Sequence, residues 1–366
     1  MKNCSGVGNN LQSWRRGASV LLRFGNRSTR LKIYPGNLAL GNYKKQMGKK
    51  TDDLIDKIKE STAKLQVDNT SRGDLKIISR AMRELRYAFK VFSHYRQDRI
   101  VAVFGSARTD PENAAYIQAI DFGRRMAEQS WYILTGAASG IMEAGHRGAG
   151  RKQSMGLNIM LPFEQDSNPI IRGDHKLVHM KYFFTRKLMF VKECDAVCLL
   201  PGGFGTLDEG LEVLTLLQTG KRDLMPVVFL DAPGGNFWKD WDAFVRGQLL
   251  EDEMISPEDL SLYKVTDSLD CAVQEILHFY HNFHSMRYVN DSLVFRLQQP
   301  ISDSMLEKMN TDFSDILSSG QFAVSGPLDE ERDEPELKAM PRLTFHFNRR
   351  SLGRLRQLVD TLNESQ

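Results

Sequence analysis

The chain has 366 residues, of which 41% are hydrophobic, and 49 Lys and Arg residues against 46 Asp and Glu residues give a net charge of +3. A chain of this length can bury a full hydrophobic core and suffices for two or three domains of ~150 residues each. No apolar run approaches the ~20 residues of a membrane-spanning helix, so we expect no membrane partner. The net charge is too small to favour nucleic acid as a main partner.

The cysteines indicate the cellular compartment. Cys4, Cys194, Cys198 and Cys271 include no CxxC pair and do not have the spacing of a disulfide-rich secreted domain. Unpaired cysteines are typical of a reducing compartment, and we therefore expect a cytoplasmic protein.

Residues 1–50 contain eleven Lys and Arg residues and no Asp or Glu. Such a segment buries too little apolar surface to offset the entropy of ordering, so we predict a disordered, dispensable basic tail. Arg-rich, acid-poor composition is also typical of organelle transit peptides, and Met47 opens a more ordinary sequence. A transit segment and a start at Met47 are therefore alternatives to the plain tail.

Residues 51–98 have a helical pattern. The stretches "DDLIDKIKESTAKL" and "ISRAMRELRYAFKVFSHYR" repeat apolar residues at intervals of three and four on a charged background. We predict a helical extension that serves as a cap or as an oligomerisation arm.

Residues 99–285 alternate between strand and helix patterns. The apolar runs "RIVAVF", "WYILT", "GLNIMLP", "DAVCLL" and "PVVFLD" are separated by helical stretches. This alternation predicts an α/β fold, a Rossmann-like doubly wound parallel sheet with helices on both faces. Three of the strands lead into glycine-containing turns, at Gly105, Gly136 and Gly202. Because ligands bind beyond the carboxyl ends of such strands, we expect the functional site at this rim.

The pattern changes again over residues 286–366, which predict a small α+β C-terminal module with a possible core of its own.

Just before it, "HFYHNFH" places His278, His281 and His284 three residues apart on a predicted helix. The aromatic residues between them indicate packing, and carboxylate and cysteine ligands are missing nearby. We therefore expect no metal there, and no other pattern indicates a cofactor.

The stretch "PGGFGTLDE" joins a predicted strand to a long predicted helix. Glycines in such a turn let backbone approach a ligand, and the start of a helix offers free N–H groups to an anion. The first strand lacks the GxGxxG fingerprint of dinucleotide-binding domains, and no Walker loop is present. The sequence therefore predicts another kind of phosphate cradle, formed by Gly202, Gly203, Gly205 and Thr206.

Glu209 follows Thr206 by three residues, so both side chains should lie on one face of the helix. For Asp208 we prefer the role of a favourable charge in the first turn. Arg186 and Lys187 lie in the strongly apolar stretch "YFFTRKLMF". We expect Arg186 to hold an anionic substrate and to orient Glu209, and Lys187 to serve the same anionic region less directly.

The motifs "VFGSAR", "TGAASGIMEAGHRGA", "GLNIMLPFEQ", "FFTRK" and "PGGFGTLDE" resemble the LOG (Lonely Guy) family, once labelled "lysine decarboxylase". The resemblance covers about residues 99–281, and the family pattern PGGxGTxxE is matched in full from Pro201 to Glu209. It implies a phosphoribohydrolase that cuts the N-glycosidic bond of nucleoside 5′-monophosphates and releases the base and ribose 5-phosphate. The substrates implied are cytokinin ribotides or ordinary purine or pyrimidine monophosphates.

The resemblance implies Arg186 and Glu209 as the catalytic pair, and at least a homodimer with active sites near the interface. The helix "EGLEVLTLLQTG" offers Leu211, Leu214, Thr215 and Gln218 as a contact face. The expected substrate- and phosphate-binding residues are Gly105, Ser106, Gly136, Glu143, Lys187, Gly202, Gly203, Gly205 and Thr206.

One turn departs from the family pattern. In "TGAASGIMEA", Ala137, Ala138 and Ser139 stand where relatives carry Gly or Pro, so we expect backbone access and base preference to differ there.

A non-catalytic binder or carrier of a phosphorylated ligand, such as a nucleotide or molybdenum cofactor, is the alternative function. Such a binder would not need Glu209. A lysine decarboxylase would need pyridoxal phosphate on a Schiff-base lysine, for which no sequence context is recognisable.

Overall fold

The computed structural model describes residues 37–161, 166–331 and 334–364, and the side chains from residue 51 onward. These residues fall into two compact units, Met1–Lys76 and Ile77–Gln366. The disordered tail predicted for residues 1–50 lies outside the described residues up to residue 36 and stays a prediction there. Within the described ranges, no helix is both long enough and apolar enough to cross a membrane.

The first unit contains helix α1, Asn37–Val67, and the start of helix α2, Arg72–Phe92. Helix α1 begins at Asn37, within the predicted tail, rather than near residue 51. The break between the helices contains Asn69 in the left-handed region, and the Ser71 hydroxyl caps α2 by accepting the Asp74 N–H at 3.2 Å. The helical extension predicted over residues 51–98 thus corresponds to most of α1 and all of α2.

The second unit is built on a seven-stranded parallel sheet whose order is β4-β3-β2-β1-β5-β6-β7. Its strands are short, and all of them except the edge strand β7 are almost wholly buried, as expected for a sheet covered on both faces. Their bounds are β1 Ile100–Phe104, β2 Tyr132–Thr135, β3 Ser154–Ile159, β4 Leu177–Met180, β5 Ala196–Leu199, β6 Val227–Leu230 and β7 Lys264–Thr266. The predicted doubly wound α/β fold is confirmed, and the two edge strands β4 and β7 are additions to the five predicted.

Helices cover both faces of this sheet, and each face has its own buried apolar cluster. Polar side chains define several helix starts. Asn113, for example, accepts the Ala115 N–H at 2.9 Å and so begins the helix after β1. The helices are α3 Ala114–Glu128, α4 Ile141–Ala149, α5 Phe183–Glu193, α6 Phe204–Gln218, α7 Phe237–Phe244 and α8 Leu269–Phe279.

The C-terminal part forms a four-stranded antiparallel sheet in the order β10-β11-β9-β8. The helix predicted through His284 ends instead at Phe279, and His284 lies on a strand that the sequence analysis missed. This strand pairs with the next one across a tight turn at Asn290. The elements are β8 Phe283–Val289, β9 Ser292–Leu297, α9 Asp303–Asp312, β10 Leu317–Ser325, β11 Arg342–Phe347 and α10 Leu352–Asn363.

The two sheets share one buried cluster. Phe279 of α8, Phe295 of β9 and Leu355 of α10 belong to the same cluster as the side chains that α5 and α6 bury. Helix α10 also lies close against residues 257–262, because a Cβ on Gly353 would stand 2.2 Å from the Glu258 carbonyl oxygen. The boundary expected at residue 286 therefore falls inside β8, and the residues on either side of it contribute to one core.

Glycines allow helices α3 and α4 to cross at very short range, and this crossing places the start of α4 at the rim of the sheet. A Cβ on Gly123 would stand 2.3 Å from the Gly145 carbonyl oxygen, and one on Gly148 would stand 1.9 Å from the Ile120 carbonyl oxygen. No side chain fits at either position without moving a helix backbone.

We expect Gly148→Ala to lower the free energy of unfolding by ~1–3 kcal/mol, the usual range for overpacking. This loss opposes the helix propensity of alanine, which exceeds that of glycine by ~1 kcal/mol. Gly247→Ala is the matched control, because a Cβ at Gly247 meets nothing within 4 Å. Urea denaturation of both variants measures the difference. Equal stability of Gly148→Ala and the wild type would contradict the close helix crossing.

Candidate active site

A cleft opens beyond the carboxyl ends of β1 and β5. These strands are neighbours from which the strand order runs in opposite directions, so the cleft lies at the topological switch point of the sheet. Its volume is about 500 Å³, within the usual range for small-molecule sites. It is lined by Phe104, Gly105, Ser106, Ala107, Arg108, Met142, Phe183, Arg186, Gly203, Phe204, Gly205, Thr206, Asp208 and Glu209.

Hydrogen bonds tie three loops together along the rim. The Ser106 N–H donates to the Pro201 carbonyl at 3.1 Å, and the Ile141 N–H donates to the Ser106 carbonyl at 3.0 Å. Gly140 has a φ of +62°, and a Cβ there would stand 2.3 Å from the Ser106 carbonyl oxygen. Glycine is therefore required at 140, both for its backbone conformation and for the close approach of the two loops.

The three glycines around the start of α6 divide into two roles. A Cβ on Gly202 would stand 2.2 Å from the Thr206 Oγ1, whereas one on Gly203 or Gly205 would meet nothing within 4 Å. Gly202 thus allows tight packing, and the other two leave the cleft open. The first N–H groups of α6 have no acceptor within the helix, and the Thr206 hydroxyl bonds to no described residue. These donors lie where the sequence predicts an anion cradle, which stays a prediction.

Glu209 lies one turn further along α6 and is only 6% exposed, yet it lines the cleft. Its carboxylate forms no hydrogen bond with any residue that the structure describes. Burial raises the pKa of Glu209, while the charges of Lys187 and Arg186 oppose that rise. A desolvated carboxylate with unused acceptor sites is well suited to act on a bound ligand.

Arg186 projects from α5 into the cleft. Its Nε donates to the Leu157 carbonyl at 2.8 Å, which fixes the guanidinium at the end of β3. A Cβ on Gly136 would stand 2.2 Å from an Arg186 terminal nitrogen, so Gly136 makes room for this side chain. Burial lowers the pKa of Arg186, and Glu209 partly opposes that shift. The two side chains are not in direct ion-pair contact, which leaves space between them.

A smaller recess of about 170 Å³ adjoins the cleft beyond Arg186. Its described lining is mostly apolar and includes Ala138, Met142, Ile159 and Leu161. The recess begins at the turn that departs from the family pattern.

The structure corrects the expected role of Lys187. Its Nζ lies 2.6 Å from Glu212, 3.0 Å from Asp208 and 3.6 Å from a Glu209 oxygen, and it does not line the cleft. Burial disfavours the ammonium, but the hydrogen bonds with Glu212 and Asp208 outweigh it and raise the pKa of Lys187. Lys187 is therefore the cation that directly pairs with Glu209, a role expected of Arg186.

A buried carboxylate from α2 fixes the start of α5. Glu84 accepts hydrogen bonds from the Lys181 N–H at 2.9 Å and the Thr185 hydroxyl at 2.8 Å, and pairs with Arg80. Burial opposes ionisation of Glu84, but these donors hold its pKa below the ordinary value. A negative charge at this end of α5 also complements the helix dipole.

The structure brings most of the predicted site residues together, but neither Lys187 nor Glu143 lines the cleft. Gly105 and Ser106 line the cleft, whereas the Glu143 carboxylate interacts with Tyr116 of α3 and, together with burial, raises the pKa of that phenol. The sequence analysis missed the lining residues Arg108, Phe183 and Phe204. Arg108 is the last residue of the quoted motif "VFGSAR", a position that could have drawn attention to it.

The three histidines of "HFYHNFH" do not form a cluster. His278 lies on α8 and His284 on β8, so they belong to different elements. Within the described ranges, no group of three or more His, Cys, Asp or Glu side chains could hold a metal ion.

Comparisons with known proteins find matches to parts of this chain. Residues 136–276 match the family model described as "Possible lysine decarboxylase". A probable cytokinin riboside 5′-monophosphate phosphoribohydrolase of Oryza sativa subsp. japonica is 28% identical over 141 residues, which cover 37% of this chain and 59% of that protein. A cytokinin riboside 5′-monophosphate phosphoribohydrolase of Mycobacterium tuberculosis is 28% identical over 185 residues, or 48% of this chain and 92% of that protein.

Among solved structures, a molybdenum cofactor carrier protein from Chlamydomonas reinhardtii is 19% identical, with a TM-score of 0.35. The match covers 49% of this chain and 98% of that one. This chain thus spans about three fifths of the length of the Oryza relative.

The Lys187 contacts predict a measurable change at Glu209. In Lys187→Met the pKa of Glu209 should rise, because burial still disfavours the carboxylate and one of the two opposing cations is gone. A carbon-13 NMR titration of side-chain carboxyls, with Glu209 assigned by its substitution, measures this pKa. Lys192→Met is the control, since Lys192 pairs with Glu193 at the far end of the same helix. A Glu209 pKa unchanged in Lys187→Met would contradict the pairing.

Proposed function

We propose that this protein is a phosphoribohydrolase of the LOG type, because residues 136–276 match the family model described as "Possible lysine decarboxylase" and contain both Arg186 and the PGGxGTxxE motif. It hydrolyses the N-glycosidic bond of nucleoside 5′-monophosphates and releases the free base and ribose 5-phosphate. One observation carries the proposal. A helix start with free donors and a buried carboxylate that accepts no hydrogen bond from a described residue lie one helical turn apart in the same cleft.

The cradle is suited to the 5′-phosphate. The open sides of Gly203 and Gly205, the free N–H groups at the start of α6 and the Thr206 hydroxyl all face the cleft. Together they supply several donors to a single anion without a side chain between them. A phosphate held there fixes one end of the sugar, so that the anomeric carbon is presented to groups deeper in the cleft.

Glu209 supplies the negative charge that the reaction needs. Cleavage of an N-glycosidic bond develops positive charge on the ribose ring, and a nearby carboxylate stabilises this oxocarbenium-like state or takes a proton from the attacking water. The raised pKa of Glu209 suits it to accept that proton. The ribose separates the phosphate from Glu209, so the two anions do not meet.

Arg186 completes the catalytic pair. Its guanidinium is held at the Leu157 carbonyl and faces the cleft without direct ion-pairing to Glu209. It can therefore contact the substrate from the opposite wall while its charge favours the ionised form of Glu209. The apolar recess behind it is the place we assign to the base.

Glu209→Gln tests this mechanism. The substitution keeps the size of the side chain and removes its charge, so kcat should fall by at least ~10²-fold, the range for acid–base groups. Release of free base from AMP, CMP and isopentenyl-adenosine monophosphate is followed by chromatography. Asp208→Asn is the matched control, because Asp208 lies in the same helical turn with a mostly exposed side chain, and its kcat should change little.

Two outcomes would count against the proposal. Near-normal turnover in Glu209→Gln would exclude the assigned role of this residue. Tight binding of a nucleotide by the wild type, with no base released from any of the three, would favour the alternative of a carrier of a phosphorylated ligand.

We also propose that the protein acts as a homodimer or higher homo-oligomer. Five large apolar side chains beside the cleft are exposed, and Phe204 is 93% exposed. They are Phe183, Phe184, Leu188, Phe204 and Leu211. An apolar patch of this kind at the mouth of a site is typical of an interface and agrees with active sites near a dimer contact.

The contact face predicted on α6 differs from this patch. Leu211 and Thr215 are exposed, but Leu214 packs on the core and Gln218 donates to Asp259 of the same chain at 2.7 Å. Half of the predicted face is thus used within the chain itself.

Replacing apolar patch residues outside the cleft lining tests the assembly. Wild-type protein at micromolar concentration should scatter light as a dimer or larger, and Phe184→Glu/Leu188→Glu should shift it towards monomer because charges are costly to bury. Ile117→Glu, an exposed apolar residue on α3, is the control. A wild-type monomer with full activity would overturn the proposed assembly.

A further inference from the structure

The charge balance of the cleft is unfavourable for an anion. Asp208 and Glu209 both follow the cradle in the first turns of α6 and line the cleft. A phosphate monoester carries about −1.5 to −2 charges near neutral pH, whereas a helix start offers only about half a positive charge. The cradle alone therefore holds its ligand against two neighbouring carboxylates.

The two adjacent cations near the start of α5 are already engaged. Lys187 is surrounded by three carboxylates and does not line the cleft. Arg186 bonds the Leu157 carbonyl, and its charge interacts with Glu209. Neither is available as the main partner of a phosphate at the start of α6.

Arg108 is the remaining cation in the described lining. Its guanidinium has no hydrogen-bond or ion-pair partner among the residues that the structure describes. Its own N–H donates to the Ser106 Oγ at 3.1 Å, which fixes the backbone of this turn. A hydrogen bond from the Ser106 N–H to the Pro201 carbonyl also holds this turn to the loop before α6.

Arg108 also lines a shallow groove that continues from the cleft past Gly202. The backbone of Arg108 is therefore anchored beside the glycine turn. The Arg108 side chain is exposed and free to reorient. A guanidinium so placed can bind two phosphate oxygens at once.

We propose that Arg108 is the charge partner of the substrate's phosphate and the residue that selects 5′-monophosphates over unphosphorylated nucleosides. This rests on the proposed function for the identity of the substrate, but the binding step can be measured without turnover. The chemistry recognised is a sugar phosphate monoester at the cleft mouth.

The test uses ribose 5-phosphate as a binding probe, measured by calorimetry on the full chain. Arg108→Gln should weaken its binding by ~10- to 100-fold, the loss expected for a charge-assisted hydrogen bond. Arg108→Lys should recover part of the affinity, because it restores the charge without the two-pronged geometry. Arg83→Gln, an exposed arginine of α2 outside the cleft lining, should bind as the wild type does.

Kinetics provide the second readout. With AMP, Arg108→Gln should raise KM and leave kcat within ~3-fold, because the phosphate contact is made equally in the ground and transition states. Binding of ribose 5-phosphate to the wild type should weaken steeply with salt, and less steeply in Arg108→Gln. The salt dependence of wild-type binding can be measured even if the variants do not fold.

The outcomes separate this inference from the proposed function. Weaker ribose 5-phosphate binding in Arg108→Gln supports the inference even if no nucleotide is hydrolysed, in which case only the proposed function fails. Equal affinity of Arg108→Gln and wild type, or no wild-type binding of ribose 5-phosphate, would overturn the assignment. A fall in kcat alone, with unchanged affinity, would do so as well.

Discussion

The site depends on keeping one desolvated carboxylate beside two cations that follow each other in the chain. Arg186 and Lys187 are adjacent on α5, so helical geometry points them in different directions. One faces the cleft, and the other lies against Glu209, Asp208 and Glu212. Burial raises the pKa of Glu209 and both cations oppose it, so the position of α5 against α6 sets the electrostatics of the cleft.

That position depends on residues outside the segment that matches the family model. Glu84 of α2 binds the Lys181 N–H and the Thr185 hydroxyl, immediately before Arg186. On the other side, the core that α5 and α6 bury is completed by β9 and α10. The second half of α2 and the antiparallel sheet after the α/β sheet therefore support the two helices that carry Arg186 and Glu209, and we see them as parts of the site's scaffold rather than as appendages.

The sequence predicted most of this arrangement because local patterns encode it. Short buried strands and a turn rich in glycine identified the sheet and the anion cradle. Contacts between distant elements were not encoded locally: Gly136 was expected at a ligand and instead accommodates Arg186, and Glu143 faces Tyr116. The start of β8 was missed because His278, His281 and His284 recur at intervals of three, a helical spacing that runs from the end of α8 into the strand. The pairing of β8 with β9 decides its conformation instead.

In the turn that departs from the family pattern, Ala137 adopts a backbone conformation that is typical of glycine. Ala137 has a φ of +61°, a conformation that costs about 1–2 kcal/mol for a residue with a Cβ. Its N–H donates to the Thr135 Oγ1 at 2.9 Å and its carbonyl accepts the Asn168 N–H at 2.8 Å, so both of its backbone groups are bonded in this strained form. The Ser139 hydroxyl adds a bond to the Ala107 carbonyl across the rim. The substitutions therefore change the side chains that border the recess, among them Ala138, while the backbone of the turn keeps both of its bonds and leaves room for Arg186 beside Gly136.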